Sequence, residues 1–329
     1  MRWVEERFSF DGSIAMEASP SDLTEEVIDS IRRSGVNQLS IGVQTFSEGV
    51  LSLYLGRRND RDGLVSTLER AVGAGFDYVN VDLMFSLPCQ TSQSLVDDLE
   101  TAAATGVHGI STYPLMLLPY TPLASRVGRR EGSGATNGPF RQSAAIEKEQ
   151  YLEIVNALRA EGYRFRTLWS FTRSPGVYEG PYEHREFIGM GPRAWGLLQN
   201  RFTLNVSTNP SYMRMVGKGI IPIHAYSLVR DYPLSRFARS LYYGRIAAEE
   251  VEALRSEDRS IGRYVALMRS LGLLSREGED LVLTDKALAY GSHATKKIAT
   301  ATLMRINEQF AAGVSEPVAD AELVKAATI

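Results

Sequence analysis

The first 160 residues alternate between strand-like and helix-like segments, and this alternation constrains the fold more than any other feature. Short, nearly continuous apolar runs predict four strands, at residues 13–18, 38–43, 78–85 and 108–117. Apolar residues at helical spacing predict four helices, at about residues 22–34, 64–72, 92–104 and 144–160. Strands that alternate with helices pair in parallel through right-handed crossovers. The pattern therefore predicts an α/β fold built on a twisted parallel sheet or barrel.

Local signals define the first predicted helix. Asp22, two residues after Pro20, is a typical N-cap, and Gly35 stands where a helix commonly ends. The apolar residues of this segment fall on one stripe, which we expect to be buried: Leu23, Val27, Ile28 and Ile31.

The remainder of the chain departs from the alternation. Residues 126–140 are polar and glycine-rich and predict a mobile loop, and residues 165–206 are rich in aromatic residues, arginine and glycine. From about Asp231 the pattern becomes helical, with a short strand pair near residues 281–283 after a turn at Gly278. Helices followed by a small hairpin indicate a winged-helix-like domain.

Composition excludes several classes of function. The net charge of −3 and the pI near 5.9 argue against a nucleic-acid partner. No apolar run approaches the roughly 20 residues that span a bilayer, and the N-terminus lacks the apolar core of a signal peptide. We therefore expect a cytoplasmic protein with no membrane partner. The single cysteine, Cys89, and the scattered histidines predict no disulfide and no metal site within this chain.

Four polar residues lie at or near the carboxyl ends of the predicted strands: Glu17, Gln44, Asp82 and Tyr113. Ligands of parallel α/β folds bind beyond these ends. Carboxylates accept hydrogen bonds from ribose hydroxyls, and Arg57, after Gly56, could pair with a ligand carboxylate. Taken singly, each such residue is more often a helix cap or a loop contact.

These residues lie within a series of short motifs. In order, the motifs are EASP at 17–20, SIGVQTF at 40–46, LGR at 55–57, NVDLM at 80–84, LPCQT at 87–91, PLA at 122–124, FTR at 171–173 and IGMGP at 188–192. The series resembles the oxygen-independent coproporphyrinogen III oxidase family of radical S-adenosylmethionine (SAM) enzymes. This family also includes haem chaperones, haem-degrading enzymes and certain methyltransferases. The resemblance extends over nearly the whole chain.

The resemblance implies a partial (β/α)6 radical SAM-type barrel that binds S-adenosylmethionine along its strand ends. By position, Glu17 corresponds to the carboxylate beside the ribose, and Gln44 to a nearby cofactor contact. Arg57 corresponds to the residue that reaches the cofactor's carboxylate, although one extra residue separates it from Gln44. Asp82 corresponds to another residue of the cofactor pocket. Cys89 stands where the family usually has glycine, and we interpret it as a tolerated small residue; no catalytic residue is assigned.

The resemblance also divides the chain into three parts. We expect the partial barrel at residues 1–160, a family-specific connector at 161–230 and the winged-helix-like domain at 231–329.

Two features expected of the family are absent from this sequence. The family holds a 4Fe-4S cluster with a Cys-x3-Cys-x2-Cys motif after its first strand, and a glycine-rich segment follows its second strand. We therefore expect the chain to begin inside the barrel, lacking the first strands, with an unpaired sheet edge at residues 13–18. With one cysteine it should not cleave the cofactor reductively. An incomplete sequence and a genuine protein without a cluster both fit this pattern.

For the intact parent, the resemblance implies radical chemistry on a tetrapyrrole, either porphyrinogen decarboxylation or haem metabolism, with an electron donor protein as partner. The aromatic and arginine-rich stretch 165–201 could contact the macrocycle or could be an ordinary packed connector. One alternative is a radical SAM methyltransferase of natural-product biosynthesis. Another is a non-catalytic haem-binding chaperone, with His184 or Tyr182 as a candidate axial ligand.

Overall fold

The computed structural model describes residues 13–118, 121–124, 126–127, 143–174, 187–198, 201–206, 208–228 and 233–312. Its main sheet has six strands: β1 (Ala15–Ala18), β2 (Gln38–Gln44), β3 (Tyr78–Phe85), β4 (Gly109–Pro114), β5 (Arg164–Thr167) and β6 (Ser170–Thr172). They lie in the order β1-β2-β3-β4-β6-β5. The first four strands are parallel, as predicted, whereas β6 runs antiparallel to β4 and forms a hairpin with β5. An antiparallel hairpin that the sequence did not predict thus follows the fourth parallel strand.

Four helices alternate with the parallel strands: α1 (Glu25–Arg33), α2 (Arg61–Gly73), α3 (Ser92–Ala104) and α4 (Ala144–Ala160). They confirm the predicted α/β alternation. A short helical turn, Glu48–Val50, continues as a π-helical turn, Leu51–Leu55, between β2 and α2. Of the predicted loop at 126–140, only residues 126–127 are among the described residues.

The predicted N-cap of α1 is wrong. Pro20–Asp22 form a separate 3-10 turn, and the cap is Thr24, whose hydroxyl accepts a hydrogen bond from the Val27 amide at 3.3 Å. Val27 is also 38% exposed, so the buried stripe consists of Leu23, Ile28 and Ile31. The helix therefore begins two residues later than predicted.

The two faces of the sheet differ in polarity. Leu39, Ile41 and Val43 of β2 are fully buried in the main core, and the corresponding positions of β3, Val79, Val81 and Leu83, join them. Because side chains alternate between faces along a strand, the intervening residues point to the opposite side. The helices therefore cover the apolar face of the main sheet, and the opposite face carries its polar side chains.

Among the described residues, β1 pairs on one side only, with β2, and Ala15, Met16 and Glu17 are exposed.

A second sheet follows the main one. It is antiparallel and contains β7 (Trp195–Leu198), β8 (Arg201–Asn205) and β9 (Ile223–Leu228), with helix α5 (Asn209–Gly217) between β8 and β9.

The next elements are α6 (Pro233–Tyr242), β10 (Arg245–Ile246), α7 (Ala248–Glu257), α8 (Arg259–Ser270), β11 (Leu274–Glu277) and β12 (Asp280–Leu283). They enclose their own small core, which includes Phe237, Leu254 and Ile261. The order of helix, strand, two helices and hairpin is that of a winged-helix-like unit, and Gly278 has the positive φ of 64° that its hairpin turn requires. The exact boundaries of the three parts remain a prediction.

The last helix, α9 (Asp285–Ala312), returns to the main sheet and packs against α4. Arg159 of α4 forms a bidentate ion pair with Asp285, at 2.6 and 2.8 Å. Trp169 donates a hydrogen bond from Nε1 to Ser292 Oγ at 3.0 Å. The carboxyl-terminal helix is therefore fixed to the predicted barrel part.

No helix in the described part of the chain is both long enough and apolar enough to cross a membrane.

Candidate functional site

The polar face of the main sheet carries two rows of aligned residues. In the first row Glu17, Ser40 and Asn80 lie side by side on β1, β2 and β3. In the second row Gly42 lies beside Asp82, and Asp82 lies beside Ser111 of β4. Apart from Gly42 these positions are polar, whereas the residues of β2 and β3 that point to the opposite face are apolar. Such a concentration of polar groups on one face indicates a ligand site.

Asp82 is the centre of a hydrogen-bond network on this face. Its Oδ2 accepts a bond from the Ser40 hydroxyl at 3.0 Å, and its Oδ1 accepts one from Asn80 Nδ2 at 2.9 Å. Asn80 Nδ2 also lies 2.8 Å from Ser40 Oγ, and Asn80 Oδ1 accepts a bond from the Ser111 hydroxyl at 3.2 Å. The network fixes the orientation of the carboxylate before any ligand binds.

The surroundings of Asp82 change its protonation. Burial raises the pKa of Asp82 to about 7, against the lowering effect of the hydrogen bonds from Ser40 and Asn80, and the charge of nearby Glu17 raises it further. This carboxylate therefore exchanges its proton near neutral pH. Glu17 lies beside Ser40, whose hydroxyl bonds to Asp82, so these two predicted site residues share one region.

Gln44 takes an unusual backbone conformation at the end of β2. Its φ is 75°, and the ladder between β2 and β3 is irregular between Gly42 and Gln44. The side chain folds back over Gly42, because a Cβ built at that glycine would lie 2.7 Å from Gln44 Nε2. The absence of a side chain at position 42 thus makes room for the Gln44 amide beside the polar rows.

Arg57, in the connection between β2 and α2, contacts the same glycine, Gly42. It follows Gly56, which ends the π-helical turn with a φ of 68°, and its Nη1 donates a hydrogen bond to the Gly42 carbonyl. Burial lowers the pKa of Arg57. Gln44 and Arg57 therefore meet at Gly42, whose neighbour on β3 is Asp82. The structure brings four of the five predicted site residues, Glu17, Gln44, Arg57 and Asp82, together at or near the carboxyl ends of β1–β3.

Tyr113, the remaining predicted site residue, lies two residues beyond Ser111 on β4 and therefore on the same face of the sheet. It is beside Met84, and its ring packs edge-on against Trp169 at 5.6 Å between centroids. Tyr113 thus borders the second polar row.

Sequence reasoning missed Ser40 and Asn80, which donate hydrogen bonds to the Asp82 carboxylate, and Ser111, which donates one to Asn80. A signal for one of them, Asn80, was present. Asn80 and Asp82 are alternate residues in an otherwise apolar strand, and this period of two predicts a shared face.

The backbone at Cys89 explains why glycine would suit this position. Its φ is 63°, in the left-handed region that strains residues with a Cβ. The thiol is exposed, and its Sγ lies 3.5 Å from the Tyr54 hydroxyl.

The resemblance implies two bound groups, S-adenosylmethionine and a 4Fe-4S cluster, and the side chains of this site fit only the first. The Asp82 network and the Gln44 amide over Gly42 provide acceptors and donors suited to a nucleoside. A cluster held by three thiolates does not fit, because these 329 residues contain one cysteine. Within the described residues, no group of three or more His, Cys, Asp or Glu side chains could hold a metal ion.

Comparison with known proteins gives a consistent result. The family model of the radical SAM superfamily matches residues 2–102. The chain is 33% identical over 238 residues to the oxygen-independent coproporphyrinogen III oxidase of Escherichia coli, covering 66% of this chain and 49% of that protein. It is 28% identical over 211 residues to the heme chaperone HemW of Bacillus subtilis, covering 63% of this chain and 54% of that protein. The chain thus spans about half the length of these curated relatives.

A solved structure shows the same fold. The coproporphyrinogen III oxidase HemN of Escherichia coli, described as a radical SAM enzyme, superimposes with a TM-score of 0.67. The superposition covers 88% of this chain and 71% of that one, at 21% identity. The α/β architecture predicted from the sequence, a mostly parallel sheet with alternating helices, is therefore confirmed.

Proposed function

The chain belongs to the radical SAM superfamily, among the relatives of oxygen-independent coproporphyrinogen III oxidases and haem chaperones, and from this premise we propose that it binds S-adenosylmethionine. The proposed site is the polar face of the main sheet at the carboxyl ends of β1–β3. The observation that carries the proposal is the meeting of Gln44 and Arg57 at Gly42, next to the hydrogen-bonded Asp82 carboxylate.

Each residue of the site suits a different part of the cofactor. The carboxylates of Glu17 and Asp82 would accept hydrogen bonds from the ribose hydroxyls. The Gln44 amide, which can both donate and accept, would contact the nucleoside beside them. The guanidinium of Arg57 would turn from the Gly42 carbonyl to the carboxylate of the cofactor, for which its two parallel donors are better matched.

We assign the chain a part in tetrapyrrole metabolism, either porphyrinogen decarboxylation or haem metabolism. This assignment is supported by the relatives, which are named for coproporphyrinogen III oxidation and as heme chaperones. When bound, the family's 4Fe-4S cluster supplies the electron for radical chemistry, and an electron donor protein would reduce it. The thiolates for this cluster would have to come from outside these 329 residues. The contribution of this chain is to bind and orient the adenosyl group.

A haem-binding chaperone is the second candidate, favoured by the several HemW relatives. His184 and Tyr182, the candidate axial ligands, lie outside the described residues. Haem titration followed by absorption spectroscopy distinguishes this role, because axial ligation shifts the Soret band and His184→Ala would remove the shift.

The cofactor site is tested by measuring the affinity for S-adenosylmethionine by calorimetry. Asp82→Ala removes an acceptor of charge-assisted hydrogen bonds, so we expect affinity to fall by about tenfold or more. Asp77→Ala is the matched control, because this exposed carboxylate immediately precedes the opposite end of β3. An Asp82→Ala variant that is folded by circular dichroism and binds with unchanged affinity would remove Asp82 from the site.

A further inference from the structure

Helix α5 exposes an apolar face. None of its residues is buried. Met213 and Val216 lie three residues apart on one side of the helix, and Ile220 continues that side beyond its end. Met213 is 66% exposed and Ile221, in the turn that follows, is 72% exposed. We name these four exposed residues, Met213, Val216, Ile220 and Ile221, the α5 surface.

Hydrogen bonds to neighbouring segments fix the position of α5 and of the turn that follows it. The Tyr212 hydroxyl accepts a hydrogen bond from the Gly191 amide at 3.0 Å, and Thr208 caps the helix. The Ile220 amide bonds to the Met215 carbonyl, and the Val206 amide to the Pro222 carbonyl, both at 2.9 Å. A helix of nine residues is marginal by itself and normally persists by burying its apolar side. Here the apolar side faces outward, which marks an interaction surface.

The sequence stretch that contains α5 carries only positive charges. Residues 187–230 contain no Asp or Glu, although the whole chain has a net charge of −3. The same stretch contains five cations: Arg193, Arg201, Arg214, Lys218 and Arg230. Arg214 and Lys218 flank the α5 surface, and neither forms an ion pair with any described residue. The partner of this surface should therefore be apolar and negatively charged.

We propose that the α5 surface docks on an anionic phospholipid bilayer. Apolar side chains flanked by Arg and Lys are the arrangement that binds the headgroup boundary of such membranes. A small ligand would need a concave pocket, whereas this surface is a helix and a turn that project outward. Two copies meeting through it would bring like charges together. A stable protein partner normally contacts about 20–30 residues on each side, more than this segment offers.

This inference revises the expectation of no membrane partner, which the sequence suggested because no segment could span a bilayer. The membrane proposal does not depend on the proposed cofactor site, because α5 connects β8 and β9 of the second sheet, whereas the cofactor site is on the main sheet.

The test is co-sedimentation of the full chain with lipid vesicles. One set contains phosphatidylcholine mixed with phosphatidylglycerol, and the other contains phosphatidylcholine alone. We expect binding to the anionic vesicles that weakens as salt is raised. The double variant Ile220→Ser/Ile221→Ser should reduce the partition coefficient by about tenfold or more. The double variant Arg214→Gln/Lys218→Gln should reduce it by about tenfold.

The matched control is Leu267→Ser/Leu271→Ser, which removes two exposed leucines, one in α8 and one immediately after it, and should leave vesicle binding unchanged. Equal binding to neutral vesicles, no binding to either set, or equal loss in the control would each overturn the proposal. A dimer in size-exclusion chromatography with light scattering that is lost in the Ile220→Ser/Ile221→Ser variant would instead show self-association and would overturn it as well.

Discussion

At the scale of single residues, the site depends on how the strands constrain their polar side chains. Ser40 and Asn80 hold both carboxylate oxygens of Asp82, while burial disfavours its charge. The sequence identified Asp82 from its motif, but the raised pKa depends on how neighbouring strands exclude water. That exclusion is a tertiary property, which a single sequence does not reveal.

Asp82 should make stability depend on pH. Because its folded pKa, about 7, lies above the usual 3.8, its contribution to stability is complete below about pH 4 and is lost as pH rises through 7. The loss is at most about 4 kcal/mol, and solvent at the partly buried carboxylate reduces it. Urea unfolding of Asp82→Asn should show its greatest gain over the wild-type protein at pH 8 and little at pH 4. A difference that does not vary with pH would contradict the raised pKa.

The backbone strain at Cys89 yields a second prediction. Glycine at φ 63° avoids the clash of the Cβ, so Cys89→Gly should stabilise the fold by about 1 kcal/mol. It should also leave the affinity for S-adenosylmethionine unchanged, since we interpret Cys89 as a tolerated small residue. Cys89→Ala, which removes the thiol but keeps the Cβ, separates the two effects. Loss of cofactor binding in both variants would show that the thiol has a function.

At the scale of elements, the parallel strands and their helices were predictable because two different periodicities alternate along the chain. β3, α3 and α4 have the predicted bounds. The β5–β6 hairpin was missed because its two strands are only four and three residues long. Such short segments show no clear alternation, and pairing with β4 decides their conformation.

The start of α1 shows why helix ends are harder to predict than helices. Asp22 and Thr24 are both good N-cap residues, and the 3-10 turn at Pro20–Asp22 leaves the role to Thr24. Thr24→Ala should lower the free energy of unfolding by about 1 kcal/mol, and Asp22→Ala should change it little. Thermal or urea unfolding of the two variants measures this. A larger loss of unfolding free energy in Asp22→Ala than in Thr24→Ala would instead identify Asp22 as the N-cap.

At the scale of the whole molecule, α9 fixes the carboxyl-terminal part to the main sheet through a buried polar cluster. Glu147 of α4, 2% exposed, lies 2.7 Å from His293 Nδ1 and bonds to the Lys296 ammonium. These contacts join α4 to α9, and separating the two helices would leave the Glu147 carboxylate buried without its partners. These contacts span about 146 residues of sequence, so no local pattern predicts them.

Removal of Lys296 should therefore destabilise the fold strongly. Lys296→Met leaves Glu147 with His293 as its remaining partner, and we expect a loss of about 3 kcal/mol in the free energy of unfolding. Lys297→Met is the matched control, because the neighbouring Lys297 is exposed and should cost little. Similar losses in the two variants would mean that the buried pair does not hold α9 in place.

The central claim is that the polar face of the main sheet binds S-adenosylmethionine, and a crystal structure of the chain soaked with this compound tests it most directly. We predict density for the adenosyl group at the carboxyl ends of β1–β3, with ribose hydroxyls about 3 Å from the carboxylates of Glu17 or Asp82. Arg57 should have moved from the Gly42 carbonyl to the carboxylate of the compound. Ordered density elsewhere on the protein, with this face unchanged, would contradict the account.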